Sequence, residues 1–227
     1  MSYSLSLISK YRTELMGYGI LFIMLVHATN PNWADIPILC MLTGKATALV
    51  HTVGFLIISG FGLCYSLTKN SDIWEFYKRR LMRLYIPFLL IALPFYLFFW
   101  LSGKETFVDF LLKESGLAFF VNGSGLFWYI AISILMYILA PLIFKLIKWN
   151  RLGSLSIMIS LGILFCYMLY VLSPDYFNHT KIGYEKGYMF AVGMYLGFLS
   201  LNNKRLDLRY FLIVAICYIL LVKAQNC

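Results

Sequence analysis

Long apolar runs follow one another along almost the whole of this sequence. Seven can be drawn, at residues 15–29, 48–68, 84–102, 126–144, 154–173, 187–201 and 208–223. An apolar helix of about 20 residues crosses the hydrocarbon core of a bilayer, at about 1.5 Å of rise per residue. A helix also pairs its own backbone polar groups, which lipid cannot do. We therefore predict an all-α integral membrane protein, a polytopic helical bundle with about seven transmembrane helices.

The composition leaves little material for a water-soluble domain. Only 13% of the residues are charged and 61% are hydrophobic, which suits a surface in contact with lipid. The net charge of +9 does not indicate nucleic acid binding, because the lysines and arginines lie between apolar runs and no polar fold presents them. The five cysteines lack metal-ligand spacing. We expect one membrane domain over residues 1–227, without a bound metal ion.

The basic residues are distributed unequally between the two sides of the predicted spans. If the N-terminus is inside, thirteen lysines and arginines, including every arginine, fall on the cytoplasmic side, and six lysines fall on the outer side. Inner loops of membrane proteins carry such an excess of positive charge. The sequence therefore predicts a multi-pass protein of the cell membrane whose N-terminus is cytoplasmic.

His27 lies near the end of the first apolar run, in the segment from Met16 to His27. A buried imidazole costs free energy unless it has a polar partner, so an ionisable group at membrane depth indicates a functional site. A neutral histidine titrates near physiological pH and can act as a general base. A structural histidine at the outer interface, hydrogen-bonded to a nearby loop, explains the residue equally well from the sequence alone.

Three arginines, Arg79, Arg80 and Arg83, stand at the cytoplasmic mouth of the third apolar run. Arg80 and Arg83 are one helical turn apart, so their guanidinium groups share a face and can clamp a phosphate or pyrophosphate. A basic cluster between two spans is also what membrane topology requires. On the sequence alone, that simpler explanation is sufficient.

Polar side chains also occur inside two of the apolar runs. Ser59 begins the segment Ser59-Gly-Phe-Gly62, whose glycines permit close approach of a neighbouring helix or an acyl chain. Trp128 and Tyr129 begin the fourth run at its outer end, and Tyr137 follows about two turns later. On the sequence alone, tight helix packing and an aromatic belt at the interface are the preferred explanations of these residues.

Two further patterns concern packing. Gly193 and Gly197 form a GxxxG pair in the sixth run, which predicts a close contact between helices. Residues 106–120 mix charged side chains with phenylalanine and leucine, which predicts a short helix in the membrane interface.

The order of these features resembles acyltransferase family 3, the polytopic membrane O-acyltransferases that include bacterial O-antigen and exopolysaccharide O-acetylases. The matching features, in order, are a first helix ending in His27, Ser59-Gly-Phe-Gly, residues 76–87 with Arg-Arg-x-x-Arg, and Trp128-Tyr-Ile followed by Tyr137 and Pro141. They lie within the first 145 residues or so, and the later part of the chain matches as hydrophobic spans.

The resemblance implies a reaction and roles for individual residues. Family members take an acyl group, by default acetyl, from acyl-CoA on the cytoplasmic side and deliver it to a carbohydrate hydroxyl on the outer side. The implied roles are a catalytic base for His27, contacts with CoA for Arg79, Arg80, Arg83 and Arg12, and a substrate pore for Ser59, Trp128, Tyr129 and Tyr137. The expected partners are acyl-CoA, an envelope glycan or glycolipid, and the bilayer, with no permanently bound cofactor.

Three departures from the family pattern bear on activity. The family commonly has an arginine where this chain has Met16; Arg12, one turn earlier, either substitutes for it or only anchors the first helix at the inner surface. Ser133 stands where the family usually has an acidic residue. Family members are also longer and have more spans, so the domain is expected to be incomplete at its C-terminus. A transporter or flippase and an inactive acyltransferase remnant are the alternative interpretations.

Overall fold

The computed structural model describes residues 6–27, 45–69, 72–123 and 127–202. Within these ranges the regular structure is helical, and no strand occurs. The helices are α1 (Ser6–Lys10), α2 (Arg12–His27), α3 (Lys45–Lys69), α4 (Ile73–Leu101), α5 (Phe107–Glu114), α6 (Ala118–Asn122), α7 (Trp128–Trp149), α8 (Arg151–Leu172) and α9 (Pro174–Leu201). The seventh predicted run, 208–223, lies outside the described residues.

Four of the described helices are long and apolar enough to cross a membrane. The qualifying segments are Thr52–Lys69 of α3, Ile73–Leu101, Trp128–Trp149 and Gly153–Leu172 of α8. The prediction of an all-α membrane bundle is therefore confirmed. Helix α2 overlaps the first predicted run, α9 contains the sixth, and the total of seven spans stays a prediction.

Helix α4 begins eleven residues before the apolar run that predicted it. The Asp72 side chain caps its first turn by accepting hydrogen bonds from the backbone nitrogens of Trp74 and Glu75, at 2.9 and 3.2 Å. A carboxylate at this position satisfies amide groups that have no partner inside the helix. The arginines at 79, 80 and 83 consequently lie on a continuous helix, and their spacing in sequence becomes a fixed spacing on its surface.

Among the described helices, α3 and α9 pack most closely. A Cβ atom built on Gly60 would overlap the Phe190 carbonyl, and one built on Gly193 would overlap the Ile57 carbonyl. At Gly197 the added atom would lie 2.8 Å from the Phe61 carbonyl oxygen. The two backbones therefore touch where side chains are missing, and the packing predicted from the GxxxG pair is confirmed.

The short helix predicted within residues 106–120 is present as α5. It begins with a capping box in which Thr106 and Asp109 bond each other's backbone amides. Its side chains pack along α4: the Phe110 ring stacks on Trp100 at 5.6 Å, and the Tyr85 hydroxyl donates to the Glu114 carbonyl at 3.4 Å. The segment thus runs along the part of α4 that follows the arginines, from Trp100 back to Tyr85.

Candidate functional site

Arg12 begins α2 and projects its side chain onto α3. A Cβ atom built on Gly62 would overlap the Arg12 guanidinium, so the missing side chain at Gly62 leaves the recess that the guanidinium fills. The Arg12 Nε atom is buried and has no hydrogen-bond partner among the described residues. This half-buried cation therefore has unused donor capacity.

Two arginines of α4 approach the same point. Arg80 interacts electrostatically with both Arg12 and Arg83, and Arg83 also interacts with Arg12. We call these three residues the basic cluster. It lies between α2 and α4 beside α3, and the contact of its three arginines with CoA stays a prediction.

Arg79 is held differently from its neighbours. Its guanidinium lies 3.7 Å from the Glu75 carboxylate, one turn earlier on the same exposed face of α4, where the two side chains are 45% and 51% exposed. It still interacts electrostatically with Arg80. Of the three predicted arginines on α4, Arg79 is thus the one already paired with a carboxylate.

Tyr137 of α7 lies near the basic cluster. It interacts electrostatically with Arg12 and with Arg80. Its ring lies 6.3 Å from that of Phe190, a buried residue of α9. Tyr137 therefore supplies a hydroxyl beside the guanidinium groups, at a position fixed by the core.

The electrostatics of the basic cluster favour an anionic ligand. Burial lowers the pKa of Arg12, an effect that Tyr137 opposes and the Arg83 charge reinforces. Arginine remains charged despite such a shift, because its ordinary pKa exceeds 12. The described ion pairs are Arg79–Glu75 and Lys113–Glu105, and neither neutralises the cluster. Arg12 and Arg80 are half-buried and Arg83 is exposed, and guanidinium groups held close together bind phosphate groups well.

A second group of polar side chains surrounds Tyr129, at the beginning of α7. The Tyr129 hydroxyl forms hydrogen bonds with Ser59 of α3 and with Ser133 of its own helix. Its ring packs edge to face against Phe55 at 5.5 Å. Tyr129 and Tyr137 are eight residues apart on α7, or about 12 Å of helix. Ser59 and Tyr129 therefore meet where α3 packs on α7, and a substrate pore formed by Ser59, Tyr129 and Tyr137 stays a prediction.

Trp128 extends this polar group by one residue. Its ring lies 5.9 Å from that of Tyr129. The Lys186 ammonium of α9 lies 5.4 Å from the centre of the Trp128 ring, a cation–π contact. Sequence reasoning placed Lys186 only among the outer lysines, although its position at the edge of the sixth apolar run was a signal that it could point into the bundle.

His27 is the last residue of α2, and its side chain lies outside what the structure describes. A Cβ atom on Gly19 would lie 3.4 Å from the Phe55 ring, so α2 packs on α3 at this level. His27 follows Gly19 by eight residues, or about 12 Å of helix in the direction away from the basic cluster. Its backbone position is thus known relative to α3, and its catalytic role stays a prediction.

Three comparisons with known proteins complete this description. A family model for an acyltransferase domain, Acyl_transf_3, matches residues 17–225. No curated protein and no solved structure matches the chain.

Proposed function

This chain belongs to acyltransferase family 3, and from that premise we propose that it moves an acyl group, by default acetyl, from cytoplasmic acyl-CoA to a hydroxyl of a cell-envelope carbohydrate. The family establishes a membrane acyltransferase domain in general. The observation that supports this particular donor is the basic cluster, in which Arg12, Arg80 and Arg83 converge without a neutralising carboxylate among the described residues.

CoA presents phosphates at one end and the thioester at the other, so its two ends need different surroundings. The basic cluster suits the phosphates, because guanidinium groups form paired, charge-assisted hydrogen bonds with them. Residues Arg12 and His27 are 15 positions apart on α2, or about 22 Å of helix. An extended donor that enters at the basic cluster would carry its thioester along α2 toward His27.

In the proposed reaction, neutral His27 accepts the proton of the acceptor hydroxyl as that oxygen bonds to the thioester carbonyl carbon. The tetrahedral intermediate then loses its carbon–sulfur bond, and His27 returns the proton to the departing CoA thiolate. The products are an O-acyl saccharide and free CoA. The hydroxyl groups of Tyr129 and Ser59 would lie along the path of the acyl chain.

The proposal is tested with inside-out membrane vesicles that contain the protein and receive acetyl-CoA labelled in the acetyl group. We expect covalent label in envelope saccharide, and we expect His27→Ala to lower the initial rate by about 10²–10⁴-fold, the usual contribution of a general base. His179→Ala is the matched control, because His179 is an exposed histidine of α9 and should leave the rate unchanged.

Equal rates for the wild type and His27→Ala would exclude this mechanism. Absence of label in both proteins would favour an inactive remnant. A transporter or flippase would instead show exchange of a saccharide across the vesicle membrane without a covalent product.

A further inference from the structure

Lys186 lies on the side of α9 that faces into the bundle. Phe190, one turn later, contacts Tyr137 of α7, and Gly193, about two turns later, contacts Ile57 of α3. Lys186 shares this side of the helix and is itself half-buried, with its ammonium over the Trp128 ring. A lysine that only anchors a helix at the membrane surface extends toward water, whereas Lys186 points toward α7.

A half-buried ammonium needs compensation for the water that it loses. In the described parts of the chain, Lys186 forms no ion pair; Glu185 precedes it and attracts it electrostatically from an adjacent position on the helix. The Trp128 ring compensates only partly, since a cation–π contact is weaker than a charge-assisted hydrogen bond. Lys186 therefore retains capacity for an anion that arrives from outside the protein.

This cation is separate from the basic cluster. Trp128 and Tyr137 are nine residues apart on α7, or about 13 Å of helix. Tyr137 interacts electrostatically with Arg12 and Arg80 at one level, and Trp128 contacts Lys186 at the other. The basic cluster and Lys186 thus lie at the two ends of the polar path through Tyr129. Only the basic cluster is needed for the phosphates of the donor.

We propose that Lys186 and Trp128 form the acceptor subsite and that the acceptor is an acidic saccharide, whose anionic group pairs with the Lys186 ammonium while a sugar ring packs on the Trp128 indole. This inference rests on the proposed acyl transfer to a carbohydrate. An indole offers a flat apolar surface, and an ammonium is a compact charge that binds an anion without demanding a fixed orientation. The saccharide would take the place over Trp128 that the lysine now occupies.

The test uses the full chain in lipid nanodiscs and two soluble probes, trigalacturonic acid and the neutral trisaccharide maltotriose. Calorimetric titration should show that the wild type binds the acidic probe about tenfold more tightly, as one charge-assisted contact predicts. Lys186→Met removes the charge and keeps an apolar side chain of similar length, so it should abolish the preference. Lys186→Arg should retain it.

Lys181→Met is the matched control, because Lys181 is an exposed lysine of the same helix. The inference is overturned if the wild type does not prefer the acidic probe, or if Lys186→Met retains the preference. Labelled transfer from acetyl-CoA, measured on the same samples, separates the two proposals. If transfer does not depend on His27 but the preference for the acidic probe is present, the proposed reaction is overturned and the subsite stands. If transfer depends on His27 but the preference is absent, only the subsite is overturned.

Discussion

Gly62 determines where the Arg12 guanidinium can lie. The recess exists because the residue has no side chain, and a methyl group there would meet the far end of a flexible arginine rather than a backbone. The arginine can move aside at small cost to the fold, but it then leaves the basic cluster. A side chain at position 62 should therefore weaken binding of the acyl donor more than it lowers the stability of the protein.

We predict that Gly62→Ala raises the KM for acetyl-CoA by about tenfold, the effect of losing one charge-assisted contact. The thermal unfolding temperature should change by no more than it does in Gly54→Ala. Gly54 is the matched control, because it is on the same helix and an added Cβ there has nothing within 4 Å. Initial rates at varied acetyl-CoA would measure the effect, and an unchanged KM would show that Arg12 does not contact the donor.

The site residues differ in how far the sequence predicts them. The sequence predicts that Arg80 and Arg83 share a helix face, because they are one turn apart, and α4 preserves this spacing. Arg79 belongs to the same sequence cluster, but Glu75, four residues earlier, holds it on the exposed face. Lys186 was missed because topology alone accounts for a lysine beside a span, and only the contacts of α9 reveal the direction of its side chain.

At the scale of helices, the contact between α3 and α9 depends on backbone atoms that cannot move independently. The Ile57 carbonyl belongs to the hydrogen-bonded ladder of α3, so an added atom on Gly193 forces the helices apart. Close packing at small residues is a main source of stability between helices in lipid, where the hydrophobic effect does not favour association. The same contact positions Phe190 beside Tyr137 and Lys186 beside Trp128.

Gly193→Ala should therefore destabilise the protein by about 1–3 kcal/mol, the range for overpacking a close contact. Gly54→Ala should have no such effect, because an added methyl group meets no neighbour there. Unfolding in mixed detergent micelles with increasing SDS measures the difference. Equal stability of the two variants would mean that α3 and α9 do not depend on this close approach.

Helix boundaries were the least predictable features at this scale. Hydropathy identified the apolar parts of α4 and α9, but α4 starts earlier at Ile73 and α9 starts earlier at Pro174. The extra turns are polar, and they are helical because of Asp72 at the start of α4 and a proline in the first turn of α9. A hydropathy window averages over such short signals.

At the scale of the whole molecule, the sequence predicts the class of fold because a bilayer limits a chain to few solutions. Apolar runs of sufficient length must form helices, whatever their partners are. The arrangement of those helices was not predictable in the same way. That α9, the least hydrophobic of the long helices, packs centrally against α3 follows from its glycines and its buried face.

The basic residues are distributed unequally between the two ends of the bundle, which predicts its orientation in the membrane. Arg12, Arg80 and Arg83 lie at one end of α4, and Lys104 follows the other end. The excess of basic residues near this end predicts that the arginine end lies inside, which is also where the proposed donor is found. Orientation and donor are thus linked, because a bundle inserted the other way would offer its basic cluster to a compartment without acyl-CoA.

We predict that cysteines introduced at the two ends of α4 label from opposite sides of the membrane. In a background without the five native cysteines, Lys104→Cys should react with a membrane-impermeant maleimide on intact cells, because Lys104 is exposed just beyond α4. Lys78→Cys, exposed near the arginines, should react only after the membrane is permeabilised. The reverse pattern would place the basic cluster outside and remove cytoplasmic acyl-CoA as its ligand, whatever chemistry His27 performs.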